Sequence, residues 1–371
     1  MLLAIMKRVV LSAVLLFPLA ANAAILVSAE RPAAPPVARV QETPRIAGWD
    51  DESMVVWVEH DAAPGAWRSL LAARVDPAGR ILNDKPIVIR QDPDIELLKI
   101  VWAPNAYYVF WIERSFQPEL LCQTVYHDGS MRSSPHVLQL NPGSIGVGAN
   151  GTNMLVVDGM FSYPVKRDGI PAGSRQLTTQ LQADWRMVSA PRVASNGDDY
   201  FVAFTATNGS AWKVFGARMS ADNQPLDGAA PIEIAAGTQP YEQLAATWDG
   251  RDYVVAYSFD STTTAQKVLP SGALDGDAVP IADAAADLDI AHAAFGTAAL
   301  YRADDGPLLA KTLGSDSTEI AARASGVSTS TSPVLPGLIA VTYIRIEDGF
   351  PRVFVRQIGN VPPSRVRAVR H

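Results

Sequence analysis

The chain has a single cysteine, Cys122, so no intramolecular disulfide can staple it and stability must come from packing. Cys122 lies in the apolar segment ELLCQTV and reads as a buried structural thiol rather than a nucleophile. Histidine is almost as scarce. His60, His127, His136, His292 and His371 are dispersed, with no His-x-x-x-His pair and no cysteine beside them, so no zinc site is indicated. Gly-x-Ser-x-Gly is absent, and so are Gly-rich phosphate loops, which removes the usual signatures of a serine nucleophile and of a phosphate cradle. No motif requires a cofactor or a metal. Charged residues make up only 19%, with a formal net charge of −7, and that balance gives no footprint for nucleic acid. Long helical periodicity is missing too, which argues against an α/β domain.

What is present points to short strands. Hydrophobic residues reach 48%, and 26 Gly and 27 Pro supply frequent turns. The N-terminus reads as an export signal: Lys7 and Arg8 precede the apolar run VVLSAVLLFPLAA, and Ala21-Asn22-Ala23 fits a small-x-small cleavage site. Residues 1–23 are therefore expected to be removed on export to the periplasm or the extracellular space, with no membrane insertion afterwards. Residues 24–43 are expected to supply a closing strand and linker, and residues 44–371 the folded domain.

The domain is written as a repeat. PRIAGWDDESMVVWV from Pro44 is answered by PRVASNGDDYFVAFT from Pro191, and related copies are KIVWAPNAYYVFWI, VGANGTNMLVV and LAATWDGRDYVVAYS. IAHAAFGTAALYRA and TSPVLPGLIAVTYI are weaker copies. Each copy is a strand, a polar turn and an aromatic or β-branched strand. A second half follows, as in LLAARVDPAGRIL and KVFGARMSADNQPL, where Ala73-Arg74 and Ala217-Arg218 hold the same place. Asp-Gly, Asn-Gly and Ser-Gly turns supply the positive backbone angles that hairpins need. Four strands in a unit of about 48 residues, repeated seven times, predict an all-β fold: a single seven-bladed β-propeller of four-stranded antiparallel blades. Blades are expected near 44–93, 94–143, 144–187, 188–238, 239–286, 287–325 and 326–371; the sixth is the least regular, and six blades remain an alternative count. Either AAILVSA (residues 23–29) or SRVRAVR near the C-terminus could provide the strand that closes the ring.

The motifs MVVWV, YVFWI, YFVAF and YVVAY, with AARVDPAG and GARMSADN, resemble those of secreted bacterial β-propeller repeat proteins over roughly residues 44–360. The resemblance implies architecture and no specific activity. Repeated Gly-His and Trp-Asp pairs, double-glycine kelch units, sialidase-type Asp boxes and Asp-x-Asp-x-Asp-Gly calcium loops are all missing.

Positions that break the repeat carry more information about function. The loops between second and third strands, EHDAAPGAWR, ERSFQPE, ATNGSAW and FDSTTTA, vary while their flanks do not. Within them Trp67, Phe116 and Trp212 could offer flat apolar contacts, and Glu59, His60, Glu113 and Arg114 polar ones. Packing against blade edges is the competing explanation for these aromatics, and solvation for the charges. Trp49, Trp102 and Trp248 recur at matching places and are read first as packing, with a sugar platform as the alternative. Asp50, Asp198, Asp199, Asp249 and Asp252 recur at the first turn and are read as local hydrogen-bond acceptors.

The sequence thus leaves two main functional classes open, with a mainly architectural envelope protein as a third. One is an exported, monomeric binding or interaction module for a protein or a carbohydrate. The other is a carbohydrate-active hydrolase or lyase with its site in the central depression. No catalytic residue is singled out.

Overall fold

The computed structural model describes residues 25–359 except 64, 104, 115, 132, 179–180, 182–183, 239–242, 260, 284, 304–305, 332–334 and 336. The expected signal segment and the SRVRAVR strand both lie outside the described residues.

Seven antiparallel sheets are arranged as blades of a β-propeller. Six are continuous in sequence, at Val40–Asp92, Ile95–Leu140, Ile145–Gln176, Arg186–Gly237, Leu244–Asp283 and Asp287–Ala321. Blade six is a complete four-stranded sheet, so the six-blade alternative is excluded. The seventh blade is composite. Its three inner strands, Ser325–Thr331, Leu338–Glu347 and Phe350–Gly359, come from the C-terminal part of the chain, and Leu26–Val27 adds the outer strand. There Leu26 pairs with Gly359 and Val27 with Ile358. Ser28 extends the seam: its amide donates to the Gln357 carbonyl and its Oγ accepts from the Gln357 amide, both at 2.8 Å.

Burial follows from the repeat. In MVVWV, Met54, Val56 and Val58 pack toward blade two, whereas Val55 and Trp57 pack toward blade seven. A strand whose alternate residues meet different neighbours must be apolar throughout, and residues 52–59 are all buried. Seven hydrophobic clusters result, one at each blade-to-blade interface. The stacked Phe201 and Tyr253 rings, 4.8 Å apart, join blades four and five. Each large side chain buried in this way contributes about 1.5–3 kcal/mol relative to exposure. Cys122 is buried in the cluster between blades two and three, and that burial pushes its thiol pKa up, away from the reactive thiolate.

No helix among the described residues is long and apolar enough to cross a membrane.

The innermost strands crowd at the axis. A Cβ on Gly146 would lie 2.4 Å from the Pro191 carbonyl oxygen of the next blade, and one on Gly148 2.6 Å from a Val193 methyl group. Gly146→Ala is therefore expected to force blades three and four apart and to destabilise the protein by about 1–3 kcal/mol. Urea unfolding followed by tryptophan fluorescence checks this; an unchanged midpoint would show that the two strands can separate freely.

Candidate functional site at the channel mouth

Each blade starts with its innermost strand, so the beginnings of seven strands surround one end of the central channel. The blade-to-blade connections and the loops between second and third strands share that face, called the upper face below. A cavity of about 400 Å³ opens there, and a second of about 390 Å³ occupies the lower end. Both have Lys99 and Asp289 in their walls. Among the described residues the lower wall contains no other charged residue, whereas the upper wall adds Glu42, Arg45, Arg192 and Asp287.

Strand register places the key groups on one tier. Arg45 pairs with Val56, Lys99 with Phe110, Arg192 with Ala203 and Asp289 with Leu300. These are equivalent steps in four blades. The remaining blades place Gly146, Ala245 and Ser328 there. Register shifts in the first two blades, between Glu42 and Arg45 and between Leu97 and Lys99, lie directly beside the cations. Such bulges re-aim side chains. The first holds Thr43 at φ 49°, an uncommon backbone for a β-branched residue, and its buried Oγ1 has no hydrogen-bond partner.

Side chains of this tier lean toward the following blade. Arg45 Nε donates to the Leu98 carbonyl at 2.9 Å, and Arg192 Nε makes the matching bond to Leu244 at 2.8 Å. Asp289 Oδ2 accepts from the Thr329 amide at 2.7 Å and from the Thr329 hydroxyl at 3.0 Å. Lys99 has no equivalent bond: among the described residues its ammonium meets no hydrogen-bond or ion-pair partner.

The balance of charge is uneven. Glu42 is paired with Arg68 at 2.8 Å and Asp287 with Arg302 at 2.9 Å, so outlying arginines already neutralise both. Asp289 is left as the carboxylate opposing three cations. Desolvation holds the pKa of Arg45, Lys99 and Arg192 below the ordinary values. Arg45 and Arg192 press Lys99 further down, while Asp289 acts in the opposite sense.

The residues singled out from the sequence lie on the same face but do not form one cluster. Trp67 is 67% exposed and Phe116 fully exposed, on the loops of adjacent blades. Trp212 is half-buried and packs against the apolar cluster between blades four and five. Glu59 is buried and accepts from Gln41 Nε2 at 3.0 Å, and Gln41 Oε1 in turn accepts from the Val353 amide across the ring closure. His60 Nδ1 contacts the Asp61 carbonyl at 2.7 Å, with Nε2 3.6 Å from Glu42. Glu113 is buried, gripped by Arg90 at 2.7 and 3.0 Å and by Trp111 Nε1 at 3.0 Å. Arg114 pairs with Glu96 at the surface.

Trp102 and Trp248 line the lower cavity and pack against neighbouring clusters, and the Trp248 ring lies 4.9 Å from that of Tyr253. The side chain of Trp49 is not among the described ones. Asp249 is a turn acceptor, taking the Arg251 amide at 3.0 Å and the Asp252 amide at 2.7 Å. Among the described residues no group of three or more His, Cys, Asp or Glu could hold a metal ion.

The charged tier itself was not read from the sequence. Its signal is the Pro-Arg pair at 44–45 and 191–192, with Lys99 opening KIVW at the same place. Inside copies of a repeat, these residues look like scaffold.

Comparisons with known proteins add the fold and its breadth of use. No protein-family model matches the chain, and no curated protein matches it in sequence. Solved structures do match in shape. The BP39L lectin of Burkholderia pseudomallei is 13% identical with a TM-score of 0.57, covering 86% of this chain and 98% of the lectin. A protein of unknown function from Dyadobacter fermentans is 9% identical with a TM-score of 0.53, over 90% and 99% of the two chains. The α-L-arabinofuranosidase of Fusarium graminearum, in a complex with arabinobiose, is 10% identical with a TM-score of 0.52, over 90% and 98%. At these identities the likeness is one of fold.

The exposed alkaline end of the pH scale isolates Lys99. Its folded-state pKa is lowered, so the unfolded chain binds more protons and the lysine's contribution to stability rises with pH up to its ordinary pKa of about 10.4. Lys99→Met is expected to be more stable than the parent at neutral pH, and the gap is expected to close as pH rises. Buried Cys122 and the buried tyrosines, held protonated in the fold, lower stability at the alkaline end in both proteins and so cancel. Urea midpoints of the two proteins from pH 7 to 10 check this; a constant gap would mean that Lys99 is not desolvated.

Proposed function

We propose that this protein binds a carbohydrate at the upper mouth of its channel, outside the cytoplasm if the N-terminal segment directs export as its sequence implies. The observation that carries the reading is the pairing of an open, polar cavity with two solvent-facing rings, Trp67 and Phe116, on loops of the same face. Sugars are held by flat aromatic surfaces for their apolar faces and by fixed polar groups for their hydroxyls, and this face offers both. A lectin and an arabinofuranosidase among the structural neighbours add support.

Hydrolysis is the second reading, favoured by the three carboxylates Glu42, Asp287 and Asp289 in one wall. A glycosidase needs two such groups, one to protonate the leaving oxygen and one to act as base or nucleophile. Here each already has a partner, so catalysis would require a substrate that displaces one. Binding without turnover needs no such step.

A panel of oligosaccharides, both neutral and acidic, tested by calorimetry tells these readings apart. Trp67→Ala and Phe116→Ala are each expected to weaken binding by up to about tenfold without moving the unfolding midpoint, because exposed rings contribute little to the core. Unchanged affinity in the double variant would overturn the proposed face. Release of reducing ends that stops in Glu42→Gln or Asp289→Asn would move the assignment to hydrolysis.

A further inference from the structure

Resting on the carbohydrate reading above, we propose that the tier of Arg45, Lys99 and Arg192 is an oxyanion site, and that the glycan it selects is acidic, carrying a carboxylate or sulfate group on the sugar that enters the channel. Three observations converge. First, three cations share a tier on which only Asp289 opposes them, while the other mouth carboxylates are neutralised from outside the cavity. Secondly, the guanidinium groups are fixed but not saturated. Arg45 uses Nε on Leu98 and Nη1 on its neighbour Pro44, and Arg192 uses Nε on Leu244 and Nη1 on Ala190, so neither Nη2 has a protein acceptor among the described residues. A fork already immobilised by backbone carbonyls loses little further freedom when it grips a planar or tetrahedral oxyanion. Thirdly, Lys99 lies on the blade between those of Arg45 and Gly146, in the same wall as both arginines, with no hydrogen-bond or ion-pair partner among the described residues, although partial burial of a charge is costly.

A purely structural role accounts for the two arginine-to-carbonyl bonds, which tie each blade to the next. It does not account for Lys99. Among the described residues its blade lacks the corresponding bond, although Lys99 stands at the same register step as Arg45 and Arg192. An oxyanion drawn to this tier would be met by two guanidinium edges and an ammonium, while the rest of the sugar remained at the mouth with its hydroxyls facing Gln243 and Ser325.

The test uses the mature chain, with trigalacturonate, a sulfated galactose disaccharide and arabinobiose as probes in calorimetric titrations. Trigalacturonate or the sulfated disaccharide is expected to bind more tightly than arabinobiose, and the tighter of the two identifies the oxyanion. Lys99→Gln is expected to weaken that acidic probe by roughly 10- to 100-fold while leaving arabinobiose unchanged. Lys99→Arg is expected to restore most of the loss. Because Lys99 makes no hydrogen bond or ion pair among the described residues, these variants are expected to keep the fold, which circular dichroism checks. Equal affinity of wild type and Lys99→Gln for the acidic probes would overturn the oxyanion site. Arabinobiose binding that is lost in the Trp67/Phe116 double variant, with no preference for acidic probes, would sink this inference and leave the carbohydrate reading standing. If none of the three probes binds, the oxyanion site and the carbohydrate reading fall together.

Discussion

Closure of the ring is the constraint on which everything else depends. A blade of this chain has two apolar faces, and neither can be left in water: Val55 and Trp57 need blade seven as much as Met54 and Val56 need blade two. In a row of such blades the first and last would each expose a face. The composite seventh blade solves this by binding residues from both ends of the chain. Leu26–Val27 completes its sheet, Glu30 pairs with Arg345 at 2.8 Å, and Gln41 of blade one holds the Val353 amide. Glu59 is part of that seam through Gln41, which explains why a loop-flanking carboxylate is buried.

Ring closure also explains what could be read from the sequence. Blade number, the order of strands within a blade and the hairpin turns repeat because every interface demands the same apolar pattern, so they are legible without coordinates. Ala73-Arg74 and Ala217-Arg218 illustrate it: Arg74 pairs with Glu52 and Arg218 with Asp227, each bracing the strand that carries it. The site was less legible. Glu113 looked available because the loop beside it varies, yet Arg90 from the previous blade reaches over to bind it, a contact that sequence spacing does not encode. Arg45 and Arg192 were hidden for the opposite reason. They sit inside the matched copies, and only the geometry of the ring turns one residue per blade into neighbours around a channel.

The tier shows how a repeat can carry an asymmetric function. Its scaffold positions are equivalent, but its side chains are not: two guanidinium groups, an ammonium and a carboxylate occupy four blades, and glycine, alanine and serine the other three. Nothing in the packing of the blades requires charge here, since Ala245 fills the same position in blade five as a buried small residue. Gly146 has a separate cause in the close approach of Pro191 from the next blade.

Energetics then distinguish scaffold from site. Arg45 and Arg192 each donate to a backbone carbonyl of the next blade that the channel would otherwise leave to water, so both have a structural role in tying blades together. Lys99 makes no such bond among the described residues; desolvation lowers its pKa, Asp289 acts against that, and the two arginines add to it. A desolvated ammonium in the same cavity wall as Thr43, whose backbone lies in the left-handed region, marks a place where local rules for folding are broken. Violations of that kind concentrate where a ligand supplies the missing interaction, and an oxyanion at this tier would supply it for Lys99 while meeting the open edges of both arginines.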